Sequence, residues 1–193
     1  ALRLAEPRLD NNPRLNEILL AAADAPEPIV RLQAALSLGA TRDDRALAAL
    51  AKLAGESGDE EWMSAAIVSS VPDRGEDLIE RLAAGDTFAD VKTLSVVKAL
   101  AVVAGSRHDP QRLPPLLSAL TKLSAERTVV TTTVLEGMVT GLKRSPSDRF
   151  DDKETANALA VLLAHEAVDV RRLAIVTAGL LRLTESQAMQ AAW

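Results

Sequence analysis

The chain has 193 residues, 48% of them apolar but only 2% aromatic, with no cysteine and a net charge of −5. This is enough apolar material for one domain or one short repeat array. The absence of cysteine excludes disulfides, thiolate metal sites and a cysteine nucleophile within it. A weakly acidic chain with two Trp, two Phe and no Tyr lacks both the cationic surface and the stacking platform that nucleic-acid binding needs.

Residues 1–13 join a short apolar patch, ALRLA, to turn residues. Asn12 is a predicted N-cap with Pro13 at the first position of a helix through Ala23. Leu15, Ile18, Leu19 and Ala22 give that helix one apolar stripe, against which the opening stretch packs. Asp24–Gly39 (DAPEPIVRLQAALSLG) is a turn that leads into a second helix. Proline opens that helix, glycine stands just past its end, and Val30, Ala34 and Leu38 recur every four positions.

Thr41-Arg42-Asp43-Asp44 caps a helix through Ala54, with Leu47, Leu50, Ala51 and Ala54 as its buried face. The acidic turn 55–61 (GESGDEE) leads into a partner from Trp62 to Val71, which Pro72 ends. Asp73–Ala84 and Thr87–Ala104 form the next pair, and the loop 105–110 (GSRHDP) follows. Pro114-Pro115 cannot sit inside a helix without loss of a backbone donor, so that helix is expected to start at Pro114 and run to Ser124.

Its partner spans Glu126–Lys143. Thr128–Val134 (TVVTTTV) favours strand by local propensity, but its place in the periodic register and the continuation to Leu142 predict helix. After the polar loop 144–151, Asp152–Ala164 and Val168–Leu183 make a fifth pair, and residues 184–193 begin another helix. The longest apolar runs, Leu94–Ala104 and Leu173–Leu181, fall short of the ~18 residues of a membrane span.

The second helices share one register: Val30, Trp62, Val91, Val129 and Val170 serve as anchors 32, 29, 38 and 41 residues apart. Self-similarity at that period is the signature of a helical solenoid. The expected fold is all-α, a right-handed α–α superhelix of about five helix pairs over residues 1–193, with no linker that divides it. Neither ALRLA nor AMQAAW is a polar cap of the kind a repeat array needs. The segment is therefore expected to be a piece of a longer protein. Met189 and Trp193 would lean on the fifth pair, and the ends would favour weak self-association.

Aspartate, then valine-arginine, then a small and an apolar residue stand here as Asp24…Val30-Arg31…Ala34…Leu38 and as Asp169-Val170-Arg171…Ala174…Ala178. This pattern resembles HEAT repeats, armadillo-like helix pairs that bind proteins. Met63, Lys92 and Val130 occupy the arginine's place in the other repeats, which argues against a continuous arginine–aspartate ladder. The run RLQAALSLG, DDRALAAL, an acidic turn and WMSAAIVSSV also resembles the HEAT segment of large planctomycete-type bacterial proteins. Those join a propeller-like membrane-bound dehydrogenase region to a C-terminal c-type cytochrome domain. That resemblance implies an exported protein with redox neighbours.

No residue set points to catalysis. Ser106, His108 and Asp109 have the residue types of a hydrolase triad, but near-contiguous residues cannot converge as a relay. His165 has only its neighbour Glu166, and two histidines without cysteine make no structural zinc site. Glu56, Asp59, Glu60 and Glu61 lack the alternation of a calcium loop and suit the positive end of the next helix. Gly137 and Gly141 mark a close approach of another backbone. Trp62 is expected to be buried between repeats.

No cofactor or metal is expected, and the segment is read as a non-enzymatic scaffold or spacer whose partner is a protein or a neighbouring domain. The alternative is part of an enzyme whose dehydrogenase or cytochrome site lies elsewhere. Seven residues after each anchor stand Ser37, Ser69, Lys98, Glu136 and Thr177, polar or small where a core would be apolar. They are the candidate partner-binding column.

Overall fold

The computed structural model describes residues 2–146, 150 and 152–183. Every regular element among them is helical. A short helix α1 (Leu2–Ala5) and a 3-10 turn (Glu6–Asn11) precede α2 (Pro13–Ala22) and α3 (Pro28–Leu38). Then come α4 (Arg45–Ser57), α5 (Glu61–Ser70), α6 (Gly75–Ala84) and α7 (Val91–Arg107). The remainder is α8 (Leu113–Leu120), α9 (Thr128–Arg144), α10 (Lys153–Leu163) and α11 (Val168–Leu180). The Met189 and Trp193 contacts expected of the C-terminal stretch lie outside the described residues.

Local chemistry sets the helix starts. The Asn12 side chain accepts a hydrogen bond from the Leu15 amide (3.3 Å), and Pro13 fills the first position. Asp152 caps α10 by accepting from the Thr155 amide (2.6 Å). Each satisfies an N–H that has no partner inside its own helix. Pro114 falls in the first turn of α8, where its missing donor costs nothing, and the helix begins one residue earlier than expected, at Leu113.

The strand-favouring run 128–134 is helical. Thr132 and Thr133 donate their hydroxyls to the carbonyls of Thr128 (2.9 Å) and Val129 (2.8 Å), so their side chains are satisfied within the helix. Burial of Val130, Val134 and Leu135 decides the contest in favour of helix. At the ends of α7 and α11, His108 (φ 36°) and Arg182 (φ 48°) turn the chain in the left-handed region, the conformation in which helices commonly stop.

The described residues divide into two compact units, one up to Val96 and the other from Val97 on. In the first, α2 packs on α3 and α4 on α5. Like elements also stack across the repeat, α4 on α6 and α3 on α5. In the second, α10 packs on α11, while α8 stacks on α10 and α9 on α11. Each unit is thus two layers of antiparallel helices, first helices in one and second helices in the other, as the all-α solenoid reading requires.

Leu50, Leu53, Ile67, Leu78 and Ile79 fill the core of the first unit, and Leu113, Leu116, Leu117 and Leu135 that of the second. Phe150 closes the second unit. It is buried, and its amide donates to the Leu181 carbonyl (3.0 Å), pinning the end of the polar loop to α11.

Candidate interaction surface

Burial corrects the register of the second helices. Trp62 is 77% exposed and Val91 75%, so neither is a core anchor. Met63, Thr93, Val130 and Val170 are buried instead, in step with half-buried Val30. The expected inter-repeat role of Trp62 is therefore wrong. It occupies the second position of α5 and points to solvent, while its neighbour Met63, about 100° round the helix, is buried. The place of the repeat arginine is held by Ser64, Leu94 and Thr131 in the other helices, not by Met63, Lys92 and Val130.

Seven residues after the corrected anchors lie Ser37, Ser70, Leu100, Gly137 and Thr177, all buried. These are mostly small because neighbouring backbones meet there. Ser70 donates to the Ala35 carbonyl (2.5 Å) in α3. A Cβ on Gly137 would stand 2.7 Å from the Lys98 carbonyl oxygen and 2.6 Å from the Ala101 Cβ. A Cβ on Gly141 would meet the α7 backbone at Val102 and Ser106. The GxxxG pair is a seat for another helix, as the sequence suggested.

The five residues of the expected column therefore part company. Ser37 is fully buried, where its hydroxyl accepts from Gln33 (3.1 Å) and donates to Glu6 (2.8 Å). Thr177 is also fully buried, and its hydroxyl has no partner among the described residues. Neither can meet a partner protein. Ser69 is exposed and bonds back to the Ala66 carbonyl (3.0 Å). Lys98 and Glu136 remain at the surface, but they pair with each other at 3.1 Å, α7 to α9.

Arg31 and Arg171 play matching parts. Each lays one guanidinium nitrogen on two carbonyls of the turn before its helix. Arg31 bonds those of Ala25 and Pro26 (both 3.0 Å), and Arg171 those of His165 (2.7 Å) and Glu166 (2.8 Å). The repeat aspartates look elsewhere: Asp24 takes Lys52 (2.6 Å) and Asp169 takes Arg172 (3.4 Å). The arginine is thus a turn clamp, not a rung between repeats.

Residues 1–70 match the family model of HEAT repeats. The HEAT match covers α1 through α5. No curated protein and no solved structure matches the chain.

The hydrolase-type residues at the end of α7 and just past it are each engaged locally. Ser106 donates to the Gly141 carbonyl (3.3 Å), Asp109 accepts from the Gln111 amide (2.8 Å), and His108 ends the helix. His165 Nδ1 accepts from the Ala167 amide (3.0 Å). Between α4 and α6 lies an open groove of about 740 Å3, lined by Asp44, Leu47, Arg74, Glu80 and Arg81 among others. Arg74 reaches Asp44 at 2.7 Å and Asp77 at 3.8 Å, so the groove matches much of its own charge.

What the sequence reading missed is an edge. Beside the buried register, an apolar side chain stands exposed in the first turn of each second helix. In the first unit these are Ile29 (70% exposed), Trp62 and Val91; in the second, Val129 and Val168. The signal is an apolar residue one or two places before each buried anchor; at Trp62, Val91 and Val129 it stands where periodicity alone puts the anchor, whereas Val30 and Val170 are the anchors read from the sequence.

Proposed function

We propose that this chain is a non-catalytic HEAT-type scaffold, one repeat array that holds a protein partner or neighbouring domains. The observation that carries this reading is the exposed apolar residue at the start of every second helix. Solvent-facing Ile, Trp and Val repeated in the first turns of the second helices are unfavourable for an isolated surface and favour a recognition surface. The HEAT match over residues 1–70 supports it, since helix-pair arrays present extended surfaces to other proteins.

On the second helices, Lys98 and Glu136 are the members of the polar column proposed to contribute to binding in the second unit, and Ser69 in the first. An exposed ion pair contributes at most ~1 kcal/mol to stability. Reversal of both charges should then leave the unfolding midpoint nearly unchanged while weakening capture of the partner. Loss of stability with capture intact would reject a binding role for the pair. Affinity capture with the intact chain, repeated reciprocally from the partner's side, tests the scaffold reading itself. A stoichiometric protein partner is expected, and failure to recover one in both directions contradicts it.

The resemblance to the planctomycete-type run suggests the finer setting, a spacer within an exported multidomain redox protein. The alternative within that setting is an enzyme whose dehydrogenase or cytochrome site lies outside these residues. A CxxCH haem-attachment motif downstream in the same gene is the expected finding, and a gene without one refutes the cytochrome association.

A further inference from the structure

We infer that the edge formed by the starts of α3, α5 and α7 in the first unit is a docking site for a basic, apolar segment of another protein. This rests on the scaffold reading and adds to it the place and chemistry of the partner. Helices α3 and α5 pack on one another, so Ile29 and Trp62, at matching positions in their first turns, stand about one interhelical spacing apart, ~8–10 Å. Val91 stands in the first turn of α7, one register place earlier, and all three are at least 70% exposed. A tryptophan so exposed offers ~150–250 Å2 of contact area from a side chain with little rotamer freedom to lose.

Charge names the occupant. The turns that carry these residues expose Glu27, Asp59, Glu60, Glu61, Asp86 and Asp90. Nearby cations are already engaged. Lys52 binds Asp24 at 2.6 Å and approaches Glu56 at 3.8 Å, Arg31 is held on the Ala25 and Pro26 carbonyls, and Lys92 donates to the Glu56 carbonyl at 2.8 Å. Glu27, Asp59, Glu60, Glu61 and Asp86 face solvent with no cation partner among the described residues. An apolar row within an acidic border complements a segment that alternates Lys or Arg with Leu, Ile or Phe. It repels nucleic acid and anionic lipid, whose phosphates meet the same carboxylates.

The test is a selection of displayed random peptides on the intact chain, followed by titration of one selected peptide at rising salt. Selected peptides should be rich in Lys and Arg interleaved with large apolar residues. Trp62→Ala should weaken binding about 30-fold, as truncation of a central tryptophan anchor does. Glu27→Gln with Glu60→Gln and Glu61→Gln should weaken it about tenfold and flatten its salt dependence. The exposure of Trp62 means that Trp62→Ala should keep the wild-type unfolding midpoint, so lost binding is not lost fold. Selected peptides that are acidic or uncharged, or a Trp62→Ala effect below twofold, would overturn the edge site while leaving the scaffold reading in place. A selection that enriches no peptide of any kind would overturn both.

Discussion

Glycine 141 and glycine 179 both lie in helices, and the same substitution at each should move stability in opposite directions. At Gly141 a Cβ would meet backbone: the Val102 carbonyl oxygen, the Ser106 nitrogen at 2.6 Å and the Gly105 carbonyl carbon at 2.9 Å. Backbone cannot rotate aside, so Gly141→Ala forces α7 and α9 apart. Overpacking of this kind costs ~1–3 kcal/mol, and contact with backbone places it near the upper end. Alanine's helix preference over glycine returns about 1 kcal/mol. The net is a loss of about 2 kcal/mol, or a fall of ~4–8 °C in Tm for a chain of this length.

At Gly179 nothing lies within 4 Å of the added methyl, so Gly179→Ala should keep only the propensity gain. In the last turn of α11 this is about 0.5 kcal/mol. Parallel urea titrations followed by helical circular dichroism read both, as shifts of midpoint at constant slope. A Gly141→Ala variant as stable as wild type, or more so, would refute the close packing of α7 on α9.

Ser70→Ala should cost about 1 kcal/mol, because it removes the hydroxyl that α5 donates to the Ala35 carbonyl. Ser69→Ala should cost almost nothing, and urea midpoints for the two adjacent serines decide it. Asp152→Ala should lose ~1 kcal/mol with the α10 cap, measured the same way. The carboxyl of Asp43 is held below its ordinary value of 3.8, first by the hydrogen bond from the Arg45 side chain and then by that from its amide. A depressed pKa stabilises the folded chain above the unfolded value, and that contribution fades as pH falls through the folded one. Asp43→Asn should therefore flatten the stability profile below about pH 3.8 and leave its slope at neutral pH unchanged, as urea midpoints at stepped pH would show.

Most of the fold was legible because helix ends are written in single residues. Asn12-Pro13, Pro28 with Gly39, and Asp152 each act within one turn of where they stand, so no tertiary knowledge is needed to read them. Gly137 and Gly141 were legible as a seat because only backbone contact explains two glycines one turn apart in a helix. The register of the second helices was not legible to the residue. Periodicity sees that Trp62 and Met63 are both apolar, and cannot see which of the two, about 100° apart on α5, faces the core. The same one- or two-place slip turned the search for a binding column seven residues on toward Ser69 and Lys98. The column in register with the core, Ser37, Ser70, Gly137 and Thr177, is small for close packing, not polar for a partner. Ser37 looked like surface because its partners, Gln33 and Glu6, lie on the same helix and on the opening turn.

A chain without cysteine permits a direct measurement of the central claim, that the second helices pack in the register Met63, Thr93, Val130 and Val170 with the apolar edge outside. Single cysteines placed at 62, 91, 129 and 168, and separately at 63, 93, 130 and 170, would be labelled with a thiol reagent under native conditions. Those in the first set should react at or near the rate of a free thiol. Those in the second should be protected until the chain unfolds. Equal rates at paired positions, or protection at 62 with reaction at 63, would contradict the register and the exposed edge together.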